Sequence, residues 1–161
     1  MIHETIGQVG HALIIVSFVT ALLATYAYFR SSQEESLAND WRQTARTLFI
    51  VHLAAVIAVA TTLYIIIYNH YFEYHYAFSH ASKALPIAYI VSCFWEGQEG
   101  SFLLWAFWQM VLMWFVLRKG GKWEAPVLSV ILLSQVFITS MLLGVNVFGQ
   151  GIGSSPFILL R

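Results

Sequence analysis

The sequence predicts an all-α fold: an integral membrane helical bundle of about four transmembrane helices with its amino terminus outside. Three observations lead there. Of 161 residues, 59% are hydrophobic and only 10% are charged, whereas soluble domains carry roughly 25% charged residues. Four stretches, 11–29, 48–68, 101–117 and 125–148, are of the length needed to cross about 30 Å of hydrocarbon at about 1.5 Å per residue. None of them contains Lys, Arg, Asp or Glu. Finally, six of the eight basic residues fall in two short connections, Arg30, Arg42 and Arg46 in one and Arg118, Lys119 and Lys122 in the other. Short basic loops stay on the cytoplasmic side, so the amino terminus, the segment 69–100 and the carboxyl end are expected outside.

The first span follows a start, Met-Ile-His-Glu-Thr, that lacks Lys and Arg. It is expected to be a retained helix, since a secretory leader needs a basic start and a shorter apolar core. Lipid tails are as apolar as Leu, so small and polar stripes mark where membrane helices meet. Ser17, Thr20, Ala21, Ala24 and Thr25 form one on the first span, and Ala54, Ala58, Thr61 and Thr62 suggest another on the second. Between them, Asn39 and Asp40 look like a helix cap, and Trp41 suits the headgroup level. His52 lies about one turn inside the second span as bounded here.

The third span carries a bulky stripe, Trp105, Trp108, Leu112 and Phe115. Its ordinary role is packing against lipid, although a flat apolar cofactor could also lie on it. The connection 118–124 is short, so the third and fourth helices should be an antiparallel pair, with Pro126 in the first turn of the fourth. Gln135, Thr139 and Asn146 then share one side of that helix. A ligand path and interhelical hydrogen bonding both fit such a stripe, and the absence of an ionisable member favours bonding.

Charge and cysteine content exclude other classes. Eight basic residues balance eight acidic ones, which leaves no broad basic surface for nucleic acid. Cys93 is the single cysteine, so there is no intrachain disulfide, no paired-cysteine metal site and no haem attachment signature. His70, His75 and His80 are weak cofactor-binding candidates: spacings of five scatter them around a helix and alternate them along a strand. A respiratory b-type haem needs two facing histidines. In this topology His11 and His52 lie toward opposite membrane faces. No metal site is expected.

The most distinctive string is Phe94-Trp95-Glu96-Gly97-Gln98-Glu99-Gly100-Ser101-Phe102-Leu103-Leu104-Trp105. It places two glycines and carboxylates at a helix entry, where Glu99 suits the positive end of the dipole. It resembles the Trp-Gly-x-His-Glu-Gly-Ser-Leu-Leu-Leu-Trp segment of the CcmF/NrfE family of cytochrome c haem lyase subunits. Trp95, Glu99, Gly100, Ser101, Leu103, Leu104 and Trp105 match; Glu96, Gln98 and Phe102 depart, with Gln98 standing where the family has His. The upstream Lys83-Ala84-Leu85-Pro86-Ile87-Ala88-Tyr89 is similar to the family's Leu-Pro-x-x-Tyr stretch.

The resemblance covers essentially the whole chain as one transmembrane domain, 1–161, and implies an amino-terminal portion of a longer protein. It implies a subunit of the cytoplasmic (inner) membrane whose working face is extracytoplasmic and which assists haem attachment to apocytochrome c. Implied partners are the remainder of the haem lyase, other cytochrome c maturation subunits, apocytochrome c, haem and the lipid bilayer. Trp95, Glu99, Gly100, Ser101 and Trp105 are the family-motif candidates. The family's tryptophan-rich segment and haem ligands are not in this sequence, so this portion is expected to be mainly scaffold. The competing reading is a membrane anchor or proton-path subunit of a transporter or respiratory complex, which would not require the Trp95–Trp105 string.

Overall fold

A computed structural model describes residues 3–34, 36–147 and 150–160. Six α-helices follow in order: α1 (Glu4–Gln33), α2 (Ala38–Tyr68), α3 (His75–His80), α4 (Ile87–Glu96), α5 (Gln98–Lys119) and α6 (Glu124–Leu143). A 3-10 turn, Gly121–Trp123, joins α5 to α6, and a short antiparallel hairpin, β1 (Val145–Val147) and β2 (Gln150–Ile152), follows α6. Four helices are long and apolar enough to cross a membrane: α1, α2, α5, and α6 with its preceding turn. They run alternately up and down. One end, here the rim, holds the start of α1, the helices α3 and α4 and the hairpin, while the opposite end holds the two short turns.

The helices exceed the expected spans where polar residues can continue a helix beyond hydrocarbon. α1 runs to Gln33, and α2 begins at Ala38, ten residues before the expected 48. The expected loop 69–100 is substantially helical, because α3 and α4 lie within it. α6 ends earlier than the expected 148. Gly144 adopts φ 72° and ψ 63°, the left-handed C-terminal conformation that glycine enters without a Cβ penalty. Asn146 therefore sits in β1 and not on the helix, and Phe148 lies outside the described residues.

α1 packs against α2 and α6, α5 packs against α6, and α2 closes toward α4 and α5. The small stripe of α1 is buried as expected at Ser17, Thr20, Ala21 and Ala24. The stripe expected on α2 is only partly its packing face: Thr62 is buried and Ala58 half-buried, but Ala54 and Thr61 are exposed, and the buried side is His52, Ala55, Val56, Val59, Thr62 and Leu63. Bulky residues there fill the space between helices more completely than alanines would, which is how interiors reach close packing. The antiparallel α5–α6 pair is present, and Pro126 lies in the first turn of α6.

Candidate functional site

Two places gather chemistry-bearing side chains. The first is the rim corner, where α4 ends at Glu96 and α5 begins at Gln98, with extended Gly97 between them. A helix end leaves carbonyls without intrahelical partners. Here two hydroxyls supply them: Tyr76 Oη of α3 donates to Phe94 O at 2.8 Å, and Ser101 Oγ donates to Trp95 O at 2.9 Å. Gly97 N donates to Tyr76 Oη at 3.2 Å, so one buried phenol joins the last turn of α4 to the first of α5. Burial pushes the Tyr76 phenol up to about 12.

Gly100 is required by close approach. A Cβ there would fall inside the contact distance of both Phe94 O and Tyr76 Oη. Ser154, from beyond the hairpin, donates its hydroxyl to Glu99. Trp95, Glu99, Gly100 and Ser101 are thus brought together, whereas Trp105 lies two turns along α5 and is exposed. Gln98 is exposed at the corner. Cys93 is buried beneath it, and burial, with Glu96 nearby, pushes its thiol up.

The histidines of the rim are separately engaged. The His80 ring tilts against Tyr76 at 4.6 Å, with Nδ1 3.0 Å from Tyr76 O. His75 begins α3, and its backbone N–H donates to Ile158 O at 2.8 Å. His70 has φ 56° and its Nε2 is buried without a hydrogen-bond partner. His3 stacks on Tyr71 at 4.1 Å and bonds Glu73 at 2.8 Å. Burial works to raise the Glu73 carboxyl, but the hydrogen bonds from His3 outweigh it and hold the group below its ordinary value.

The second place is a polar seam in the middle of the bundle. His52 is fully buried, about four turns into α2, and not near a helix end. Its Nδ1 lies 2.9 Å from Ser17 O of α1 and its Nε2 lies 3.3 Å from Gln135 Oε1 of α6. Gln135 Nε2 donates to Ala106 O at 3.0 Å and to Gln109 Oε1 at 3.1 Å, both on α5. Ser134 Oγ lies 2.7 Å from that same Gln109 oxygen. All four long helices therefore meet through side chains at one depth.

Two backbone carbonyls orient this seam, because they can only accept. Ser17 O requires a proton on His52 Nδ1. Ala106 O requires the amide nitrogen of Gln135, which turns Gln135 Oε1 toward His52 Nε2. A neutral imidazole then bonds only α1, and an imidazolium would bond α6 as well. Gln135 and Thr139 face protein as expected, but Thr139 Oγ1 bonds Gln135 O of its own helix at 2.7 Å.

Sequence reasoning missed three features. Gln109 is the one amide in the third span, 101–117, eight residues from Ser101 at its start, and that isolation was its signal. Tyr76 had no local signal. At the turn end, Arg46 grips the buried Glu124 through two bonds of 2.8 and 2.6 Å, joining α2 to α6. Among the described residues, no cluster of three or more His, Cys, Asp or Glu could hold a metal ion. Of five surface grooves among the described residues, one is lined by a histidine, His11, on the face of α1 beside Tyr74 and Phe157.

No family model and no curated protein matches the sequence. Among solved structures, the chain is similar to one described as Cytochrome c Heme Lyase CcmF, with a TM-score of 0.76 and 22% identity, over 93% of this chain and 25% of that one. The chain thus shares the fold of part of that protein and spans about a quarter of its length.

Proposed function

We propose that this chain serves cytochrome c maturation as a membrane scaffold within a haem lyase assembly. The fold likeness over 93% of the chain carries the reading. The Trp95–Trp105 string, which resembles the haem lyase segment, supports it by falling at a built corner between two helices. The rim is the extracytoplasmic face of the inner membrane in this reading, and the basic connections at the other end favour that orientation.

Thioether formation brings a thiolate of apocytochrome c to a haem vinyl group, and the protein's contribution is chiefly to position them. In this reading the chain supports the haem-handling part of the assembly, and the ligands of the iron come from elsewhere in it. Its partners are the remaining maturation subunits and, through them, haem and apocytochrome c.

Deleting the gene should lower covalently bound haem in membrane and periplasmic fractions, seen as loss of haem staining that survives acid-acetone extraction, while extractable b-type haem stays within about twofold. Restoring the chain should restore the stain. Unchanged covalent haem in the deletion strain would refute the assignment.

A further inference from the structure

The polar seam ends on a side chain with unused donors. Gln109 Oε1 receives Gln135 Nε2 at 3.1 Å, with Ser134 Oγ at 2.7 Å. Because Ala106 O fixes the orientation of the Gln135 amide, Gln109 must turn its oxygen inward and its NH2 outward. That NH2 donates no hydrogen bond among the described residues. Gln109 also lines an open groove of about 530 Å³ with Leu104, Trp105, Trp108 and Leu112. Trp105, Trp108 and Leu112 are each more than half exposed.

Depth makes this an unfinished contact. Gln109 stands at the middle of the 22-residue α5, so lipid ester carbonyls lie about 15 Å away and acyl tails offer no acceptor. A polar amide facing hydrocarbon is costly and is found where another helix satisfies it. A second copy of this chain does not meet the need by symmetry. Its Gln109 oxygen is likewise occupied, so a twofold contact would set two NH2 groups against each other.

We propose that the α5 groove docks a transmembrane helix of a partner polypeptide, one that presents a hydrogen-bond acceptor to the Gln109 amide at mid-membrane depth. Trp105 and Trp108 flank that helix, and the bonded part of the seam then runs from α6 through α5 into the partner. Such docking requires nothing of haem chemistry, so it and the maturation role can fail separately.

The test places photoreactive p-benzoylphenylalanine at Leu112 of the full chain in its native membrane, with Phe137 of α6, 63% exposed, as the lipid-facing control. Irradiation at position 112 should give an adduct with a different polypeptide. The cross-linked peptide should lie in an apolar span with Ser, Thr, Asn, Gln or His within one turn, and the control should give none. The Gln109→Met variant, nearly isosteric but without donors, should lower the yield about fivefold. Ser134→Ala, which disturbs the seam but leaves the amide free, should keep it within about twofold. Adducts with lipid alone, adducts with a second copy, adducts with a helix of the same polypeptide outside residues 1–161, a partner span without an acceptor, or an undiminished yield in an accumulating Gln109→Met variant would each overturn the proposal. If that variant does not accumulate, the mapped residue in the otherwise unmodified chain decides.

Discussion

The rim corner and the mid-bundle seam both gather polar atoms from several elements, but different forces hold them. At the corner, hydroxyls from Tyr76 and Ser101 complete the end of α4, and the approach is possible because Gly100 has no side chain. At the seam, amides and an imidazole bridge separate helices, and backbone carbonyls set their directions. Shape dominates where helix ends crowd together near water. Directional bonding dominates where no water competes, because an unmet polar group is costly there. Steric substitutions should therefore break the first region and isosteric polar-to-apolar substitutions the second.

The largest expected effect is Gly100→Ala. Its methyl group would collide with Phe94 O, a backbone atom that cannot move without displacing α4. Overpacking of this kind costs about 3 kcal/mol. Cys93 reports on it, being the single cysteine and 2% exposed. Maleimide labelling in detergent should be slow in the parent and much faster in the variant. Equal rates would mean that the corner yields cheaply and that shape does not dominate there.

Gln135→Leu should come next. It removes both bonds of the Gln135 amide to α5 and its contact with His52, leaving the Ser134–Gln109 bond, at about 1.5 kcal/mol for interhelical bonds in a membrane protein. Thr139→Val, on the same face, should change stability by less than about 0.5 kcal/mol, since its hydroxyl bonds only its own helix. Unfolding in mixed micelles separates the two. Similar losses would show that burial alone, and not bonding between helices, sets the value of this stripe.

Much of the fold was legible because hydropathy directly reports the solvent. Four apolar stretches free of charge led to four long helices, and the balance of small and polar residues on α1 located its buried side. Extent was less legible. Polar residues extend α2 by ten positions beyond the expected span, so His52, taken as shallow, lies near the helix centre. Gly144 was a stop signal inside an apolar run, and its left-handed backbone places Asn146 off the helix. At the corner, Trp95, Glu99, Gly100 and Ser101 announced themselves as a string. Tyr76 did not, because its partners come from about twenty residues later in the chain. Pairings across elements, such as Arg46 with Glu124, arise only from packing and leave no local pattern.

Tyr76→Phe should cost about 1 kcal/mol, less than Gly100→Ala or Gln135→Leu, as it deletes one hydroxyl that donates to Phe94 O and accepts from Gly97 N while keeping the ring. Its pH dependence identifies it. Burial raises the folded-state value to about 12, above the ordinary phenol value of about 10. The folded chain thus holds this proton more tightly than the unfolded chain. The resulting stability is full below pH of about 10 and declines as pH rises from about 10 toward 12. The parent should lose stability across that window more steeply than Tyr76→Phe, and the difference between their phenolate absorbance titrations should show one group ionising near the upper end. Parallel stability curves, or a difference titration centred at the ordinary value, would show that the phenol is open to water and that the corner is looser than its hydrogen bonds require.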